Sequence, residues 1–556
     1  MRSQDILQGP EWANVRALYK ASGFTDGALK KPLIAVVNSF NSICPGHVNL
    51  QQLTNKVKEG ILSAGGTPLD FGTIGACDGI AMGHKGMKYV LPTREMIAND
   101  IEAMVEAHRL DGVVLLGSCD KIIPGMILGA LRVNLPTVFV NGGPALPGRM
   151  TKNNPYGGEY IDHSIIQQSE GALKAGEISE KEFAWIENHA VPTIGSCAML
   201  GTANTMACLA ETMGLALPGT ATIPAVYSRR VQVAFEVGEK IMDLVKRNVV
   251  AKDLVTKEAI ENAIKVNAAI GGSTNAVLHL LAIAREAEVA LDVFHLGRLS
   301  SEIPHLVPMI PAGSATLLDF HEAGGVPQVM KALETKLHMG ALTVLGKTWK
   351  EVLQEEDLEK TALIHSLEHP VHERGGIAVL SGNLAPEGAV TKPSAIPEEA
   401  LYFAGPARVY ESEEEALLGI RDREIVPGDV VVIRNEGPKG GPGMPEMYKA
   451  MKLLVGMNLG DKVCLVTDGR FSGSNNGCFV GHICPEASDG GPIAYIENGD
   501  VLVVDIKANK IEAPHVDFER RKIEKTLPEQ TKASGSLYQY RKNVLSASEG
   551  AWIPSK

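Results

Sequence analysis

Short, unbroken apolar runs alternate with amphipathic stretches through the first third of the chain. Residues 33–37, 113–116 and 136–140 read as buried strands, with 71–74 as a further candidate. Residues 50–64 and 94–108 carry the apolar spacing of helices packed on one face. Strand, helix and strand in succession predict a parallel sheet covered by helices. Residues 150–300 are largely helical in pattern, including 202–215 and 230–246. Beyond about residue 370 the texture changes to short apolar runs at 376–380, 407–410, 429–433, 462–466 and 501–505, most of them separated by Gly- and Pro-rich turns. The expected class is therefore α/β, with an N-terminal parallel-sheet domain over 1–370 and a C-terminal β-barrel-like domain over 371–556. A helix and a tail close the chain.

Composition narrows the picture. A chain of 556 residues is too long for one core, and its 45% hydrophobic and 21% charged residues are those of an ordinary globular protein. The net charge of −12, without a Lys/Arg block, argues against nucleic acid or an anionic membrane as partner. No apolar run approaches the length of a membrane span, and the N-terminus does not read as a signal peptide. The eight cysteines form no local Cys-x-x-Cys pair, so neither a zinc ribbon nor a disulfide framework is expected, and a reducing cytoplasm is the natural compartment.

Two segments carry the chemistry. Gly75-Ala-Cys-Asp-Gly79 and Gly117-Ser-Cys-Asp-Lys121 each follow an apolar run and each set a thiol beside a carboxylate. Thiolates favour iron or zinc, whereas carboxylates favour magnesium, calcium or manganese. Ligands in open α/β sheets bind beyond the carboxyl ends of the strands. Two such ends with Cys-Asp pairs point to a catalytic site that joins a soft-ligated centre to a hard cation. The plainer reading of Asp78 and Asp120 is helix capping. For Glu446, after Pro445, it is first-turn helix charge, and for Ser472 a turn.

Five segments together, Cys77-Asp-Gly-Ile-Ala-Met-Gly-His-Lys-Gly-Met87, Cys119-Asp-Lys121, Gly271-Gly-Ser-Thr-Asn275, Glu436-Gly-Pro-Lys-Gly-Gly-Pro-Gly-Met444 and Thr467-Asp-Gly-Arg-Phe-Ser-Gly473, resemble the dihydroxyacid and phosphogluconate dehydratase family over nearly the whole chain. The resemblance implies an iron–sulfur cluster, [2Fe-2S] or [4Fe-4S], a Mg2+ ion, and elimination of water from a 2,3-dihydroxy carboxylate. It also implies a homodimer or homotetramer. Carried over by motif, Cys119 and Cys197 match cluster ligands. Asp78, Asp120 and Glu446 match magnesium ligands, Lys121 matches a lysine carbamylated in several relatives, and Ser472 matches the catalytic base. For the third thiol, many relatives have cysteine where this chain has Gly46. Relatives with glycine there often have cysteine at the position of Cys77, so Cys77 is expected to be the ligand and Cys44 the alternative. Cys208, Cys464, Cys478 and Cys484 are expected to be packing residues. His47, His84 and the Gly271–Asn275 segment receive no definite role.

Two substrates fit the resemblance. Gly469-Arg-Phe-Ser-Gly473, with Gly481-His482 beyond it, favours a dihydroxyacid dehydratase of branched-chain amino-acid biosynthesis. Gly195-Ser-Cys-Ala-Met-Leu-Gly-Thr-Ala-Asn204 resembles members that act on aldonates or 6-phosphogluconate. The branched-chain reading is the preferred expectation.

Overall fold

The computed structural model describes residues 1–150, 160–356, 358, 361–472, 477–527 and 532–555. Gly473, which closes the Thr467–Gly473 motif, lies outside the described residues. As expected the class is α/β, built on a four-stranded parallel sheet and an eight-stranded, nearly closed one.

The first sheet contains β1 (Leu33–Asn38), β2 (Thr67–Gly72), β3 (Gly112–Gly117) and β4 (Thr137–Asn141) in the order β2-β1-β3-β4, all parallel. β1, β3 and β4 are buried along their whole length, which is why their apolar runs are continuous. β2 lies at the edge and tolerates Pro68 and an outward-leaning Asp70 there. Its Thr-Pro-Leu-Asp-Phe-Gly sequence hid it, and it ends at Gly72 rather than running over 71–74. The helices Leu50–Ser63 and Ser228–Arg247 cross in close contact against this sheet. Glycines permit the approach: a Cβ on Gly60 would stand 2.1 Å from the Phe235 carbonyl oxygen, and one on Gly238 2.3 Å from that of Val57.

A short antiparallel pair, β5 (Gly148–Arg149) and β6 (Tyr160–Ile161), precedes the largely helical segment. The second sheet follows with β7 (Ala378–Leu380), β8 (Ala389–Thr391), β9 (Tyr402–Tyr410) and β10 (Val430–Ile433). Beyond a separate strand β11 (Glu446–Met447) come β12 (Cys464–Thr467), β13 (Arg470–Phe471), β14 (Cys478–Gly481), β15 (Val501–Asp505) and β16 (Lys510–Glu512). The order is β16-β15-β9-β10-β12-β14-β8-β7, with β11 and β13 forming their own two-stranded ladder. Ser381, just past β7, bridges to Lys510 of β16 and all but closes the ring. Side chains alternate across it. Val430, Val432, Cys464, Val466, Cys478 and Val480 fill one core, whereas Val431, Ile433, Leu465 and Phe479 pack in another with the helices Glu413–Arg421 and Lys449–Gly456.

The end of the chain returns to the first half. Tyr540, Val544, Ala547 and Ala551 pack with Leu91, Leu278 and Met444, and the buried Arg94 donates to the Gly550 and Ala551 carbonyls at 3.0 and 2.7 Å. Among the described residues no helix is long and apolar enough to cross a membrane.

Candidate active site

The carboxyl ends of β1 to β3 converge, and each leads into a loop with one of the predicted groups. Cys44 and His47 follow β1, Cys77 and Asp78 follow β2, and Cys119, Asp120 and Lys121 follow β3. The Cys44 and Cys119 sulfurs are 3.2 Å apart, and the Cys77 thiol hydrogen-bonds Cys44. Cys119 has φ +63°, a left-handed backbone seldom adopted outside glycine, and such strain gathers at functional positions. Gly46 is where the chains close on one another, since a Cβ there would stand 3.1 Å from the Cys119 sulfur and 3.3 Å from the Ser196 nitrogen. Cys197 enters on the loop after Ser196, and Asn204 builds that loop by donating to the Cys197 and Met199 carbonyls at 2.5 and 2.8 Å.

All four thiols are held above their ordinary range. For Cys44 the leading cause is its bond to Cys119, for Cys77 its bond to Cys44, and for Cys197 burial. At Cys119 the contact with Cys44 lowers the value, but burial and the charges of Asp78, Cys77 and Cys197 outweigh it and leave it at about 11. Thiols crowded in this way want a cation, which deprotonates a coordinating thiol outright. Cys44, His47 and Cys119 place ligand atoms within 4.8 Å of one another, a set consistent with an iron–sulfur site. Both His47 ring nitrogens lie against carbonyl oxygens, Ser39 at 2.7 Å and Ser118 at 3.0 Å, so this histidine ties the β1 and β3 loops together.

Beside the thiols stands a hard set. Asp78, Asp120 and Glu446 each bring a carboxylate oxygen within 4.8 Å of the others. Capping does not explain the first two, because the N-cap positions of the helices Asp78–Ala81 and Ile122–Val133 are Cys77 and Lys121, neither with a side-chain cap bond. Nor is Glu446 first-turn helix charge, since it lies in β11. Burial, then the charges of Asp120 and Glu446, push the Asp78 carboxyl up to about 8. Burial pushes Glu446 the same way, but Lys121 and Arg470 outweigh it and hold this carboxyl below its usual range. Three carboxylates so close together, Asp120 and Glu446 buried and Asp78 half-buried, fit a divalent cation that takes oxygen ligands. The fully buried Lys121 amine donates to Asp120 at 2.7 Å and to Glu446 at 2.9 Å.

The barrel half delivers the remaining groups. β11 and β13 pair in parallel with Glu446 opposite Arg470, and the Ser472 backbone N–H extends the ladder to the Met447 carbonyl at 3.4 Å.

The sequence that builds this site has close counterparts. Residues 31–352 match the dihydroxy-acid/6-phosphogluconate dehydratase N-terminal domain, and residues 362–551 match the corresponding C-terminal domain. The chain belongs to the dihydroxy-acid/6-phosphogluconate dehydratase family. It is thereby a hydro-lyase. It is 49% identical over 555 residues to a dihydroxy-acid dehydratase of Caldanaerobacter subterraneus subsp. tengcongensis, covering 99% of each chain. A dihydroxy-acid dehydratase of Pyrococcus furiosus is 48% identical over 555 residues, again 99% of each, and one of Methanosarcina barkeri 47% over 559 residues, the full length of both.

Two residues of the site went unassigned in the sequence. Asn275 opens the helix Asn275–Glu286, and its side chain donates to Glu446 Oε1 at 2.6 Å. Arg470, fully buried, donates through Nη1 to Glu446 Oε1 and, at 3.3 Å, to Asn275 Oδ1. Each sits inside a motif quoted for the family resemblance, so the available signal was a buried polar residue in a loop rich in Gly and Ser. His84 is a local element, with Nε2 2.9 Å from the Ile80 carbonyl and Nδ1 accepting from the Gly86 N–H.

Proposed function

We propose that this protein removes water from a 2,3-dihydroxy carboxylate to give a 2-keto acid, as a dihydroxy-acid dehydratase of branched-chain amino-acid biosynthesis. The observation that carries the reading is the adjacency of the thiol set to the carboxylate set at the ends of three neighbouring strands. Cys77, Cys119 and Cys197 hold an iron–sulfur cluster, and Asp78, Asp120 and Glu446 hold Mg2+. Held there, magnesium would offset the charge of the substrate carboxylate and polarise the C2 hydroxyl, and an iron–sulfur cluster would supply a Lewis acid for the C3 hydroxyl. As a free amine Lys121 cross-links Asp120 to Glu446. Carbamylated, it offers the cation an anionic oxygen instead of a competing positive charge.

Ser472 takes the C2 proton on Oγ. A neutral hydroxyl is too weak a base for this, so the ionised form must be stabilised by positive charge nearby. Arg470, two residues before it in the chain, is a candidate source of such charge. Loss of the C2 proton and the C3 hydroxyl leaves an enol, which tautomerises to the 2-keto acid.

Full-length similarity to dihydroxy-acid dehydratases supports the branched-chain substrate over a sugar acid. The Gly201-Thr-Ala-Asn204 segment does not oppose it, because Asn204 serves the backbone of its own loop and the Ser196 hydroxyl. The test is anaerobic turnover with magnesium, scoring 2-keto-acid formation from 2,3-dihydroxyisovalerate, D-gluconate and 6-phosphogluconate. Preference for dihydroxyisovalerate is expected. Preference for either sugar acid would overturn the substrate assignment.

A further inference from the structure

We infer that Arg470, with Asn275 as its partner, is a positioning residue that turns one oxygen of Glu446 toward the protein and thereby presents the other to the divalent cation. The inference rests on the reading of Asp78, Asp120 and Glu446 as cation ligands. Its basis is an asymmetry in how the Glu446 carboxylate is held. Lys121 Nζ, at 2.9 Å, Asn275 Nδ2, at 2.6 Å, and Arg470 Nη1 all donate to Oε1. Among the hydrogen bonds of the described residues none falls on Oε2. A carboxylate anchored through one oxygen has its rotation about the last side-chain bond fixed, so the second oxygen points in one direction only.

Arg470 is itself fixed. Its Nε donates to the Met444 carbonyl at 2.5 Å, and the β11–β13 ladder sets its backbone opposite that of Glu446. The side chain is fully buried and so cannot swing into solvent. Asn275 completes the clamp, donating to Glu446 through Nδ2 while its Oδ1 accepts from Arg470 Nη1 at 3.3 Å. A second donation from Asn275 Nδ2, to Thr202 Oγ1 at 3.1 Å, orients the amide. None of these contacts of Arg470 and Asn275 passes through Lys121. If carbamylation removes the positive charge of Lys121, Arg470 becomes the cation bonded directly to Glu446. Partners that orient a metal's ligands typically govern affinity by about 10- to 100-fold.

Manganese titration of the cluster-loaded enzyme, followed by the electron paramagnetic resonance of free Mn2+, tests this without reference to turnover. Arg470→Gln should weaken Mn2+ by about 10- to 100-fold while the visible absorbance of the cluster stays at the wild-type level. Asn275→Ala should weaken it by a smaller factor. Arg470→Lys, which keeps the charge but lacks the two-point fork, should remain well short of wild-type affinity. Unchanged affinity in Arg470→Gln would overturn the inference, as would full recovery in Arg470→Lys, which would reduce the role to charge alone. Failure of the wild type to bind Mn2+, or binding unaffected by Glu446→Ala, would instead remove the cation site on which the inference rests. Should Arg470→Gln lose its cluster, the decision passes to Asn275→Ala and Arg470→Lys.

Discussion

Two groups of three carboxylates, all buried except the half-buried Asp78, are held in opposite ways. Asp78, Asp120 and Glu446 face one another, and the donors around Glu446 are side chains, Lys121, Asn275 and Arg470. Glu436, Asp468 and Glu486 instead accept from backbone N–H groups. Asp468 takes those of Asn435, Glu436 and Ala487 at 3.1, 2.9 and 2.9 Å, Glu486 those of Lys439 and Gly440 at 3.0 and 2.8 Å, and Glu436 that of Glu413 at 3.0 Å. The second group shapes the Gly-rich loop that leads to Glu446, and the first has the spacing of a candidate cation site. A carboxylate satisfied by main-chain donors holds a loop, whereas carboxylates turned toward one another raise each other's pKa and can share a cation.

The largest break between the groups should come from removing a ligand. Glu446→Ala or Asp120→Ala should abolish Mn2+ binding and lower kcat/KM by at least about three orders of magnitude, the loss expected when Lewis-acid stabilisation worth several kcal/mol disappears. Asp468→Asn should do the reverse, costing about 1–3 kcal/mol of stability by disturbing a buried acceptor and leaving Mn2+ affinity within twofold of wild type. Denaturant melts paired with the manganese titration check both. A loss of cation binding in Asp468→Asn would erase the distinction.

The second group should also leave a mark on stability against pH. Burial pushes Glu436 and Glu486 up to about 8, above their values in an unfolded chain. Between about pH 4.5 and 8 the folded state then binds more protons than the unfolded one, so these two groups make stability fall as pH rises through that window. Glu486→Gln should flatten the decline, measured as the shift in denaturation midpoint between pH 6 and pH 8.5. An equal decline in the variant would contradict the assignment.

The smallest effect is expected at a second pair of thiols. Cys464 and Cys478 are register partners on β12 and β14 with sulfurs 2.9 Å apart, but they lie in the apolar barrel core with no carboxylate of the site beside them. Cys464→Ser should leave iron and sulfide content unchanged, whereas Cys119→Ser should lose most of both.

Much of this was legible in the sequence where one physical rule governed. Fully buried parallel strands announced themselves as continuous apolar runs, so β1, β3 and β4 fell within a residue or two of their expected places. β2 did not, because an edge strand may carry Pro68 and Asp70 and so loses the apolar signature. The expected strands over 407–410 and 429–433 were found as β9 and β10, but β16 and the closure at Ser381 depend on pairing between distant segments and leave no local pattern. At the site, the Cys-Asp dipeptides were informative because two unlike ligand types stood side by side. Asn275 and Arg470 were not, since their value lies in contacts made across 171 and 24 residues of chain. Cys44, kept as an alternative to Cys77, sits in hydrogen-bonding contact with both Cys77 and Cys119.

The central claim is that a thiol-held iron–sulfur cluster and a carboxylate-held cation share one site. Manganese bound to the anaerobic, cluster-loaded enzyme tests it most directly, by comparing the Mn2+ electron paramagnetic resonance with the cluster in its diamagnetic and paramagnetic oxidation states. Broadening of the Mn2+ lines in the paramagnetic state, lost in Glu446→Ala, is the expected result. Lines indifferent to the state of the cluster would show that the two centres are apart and would contradict the shared site.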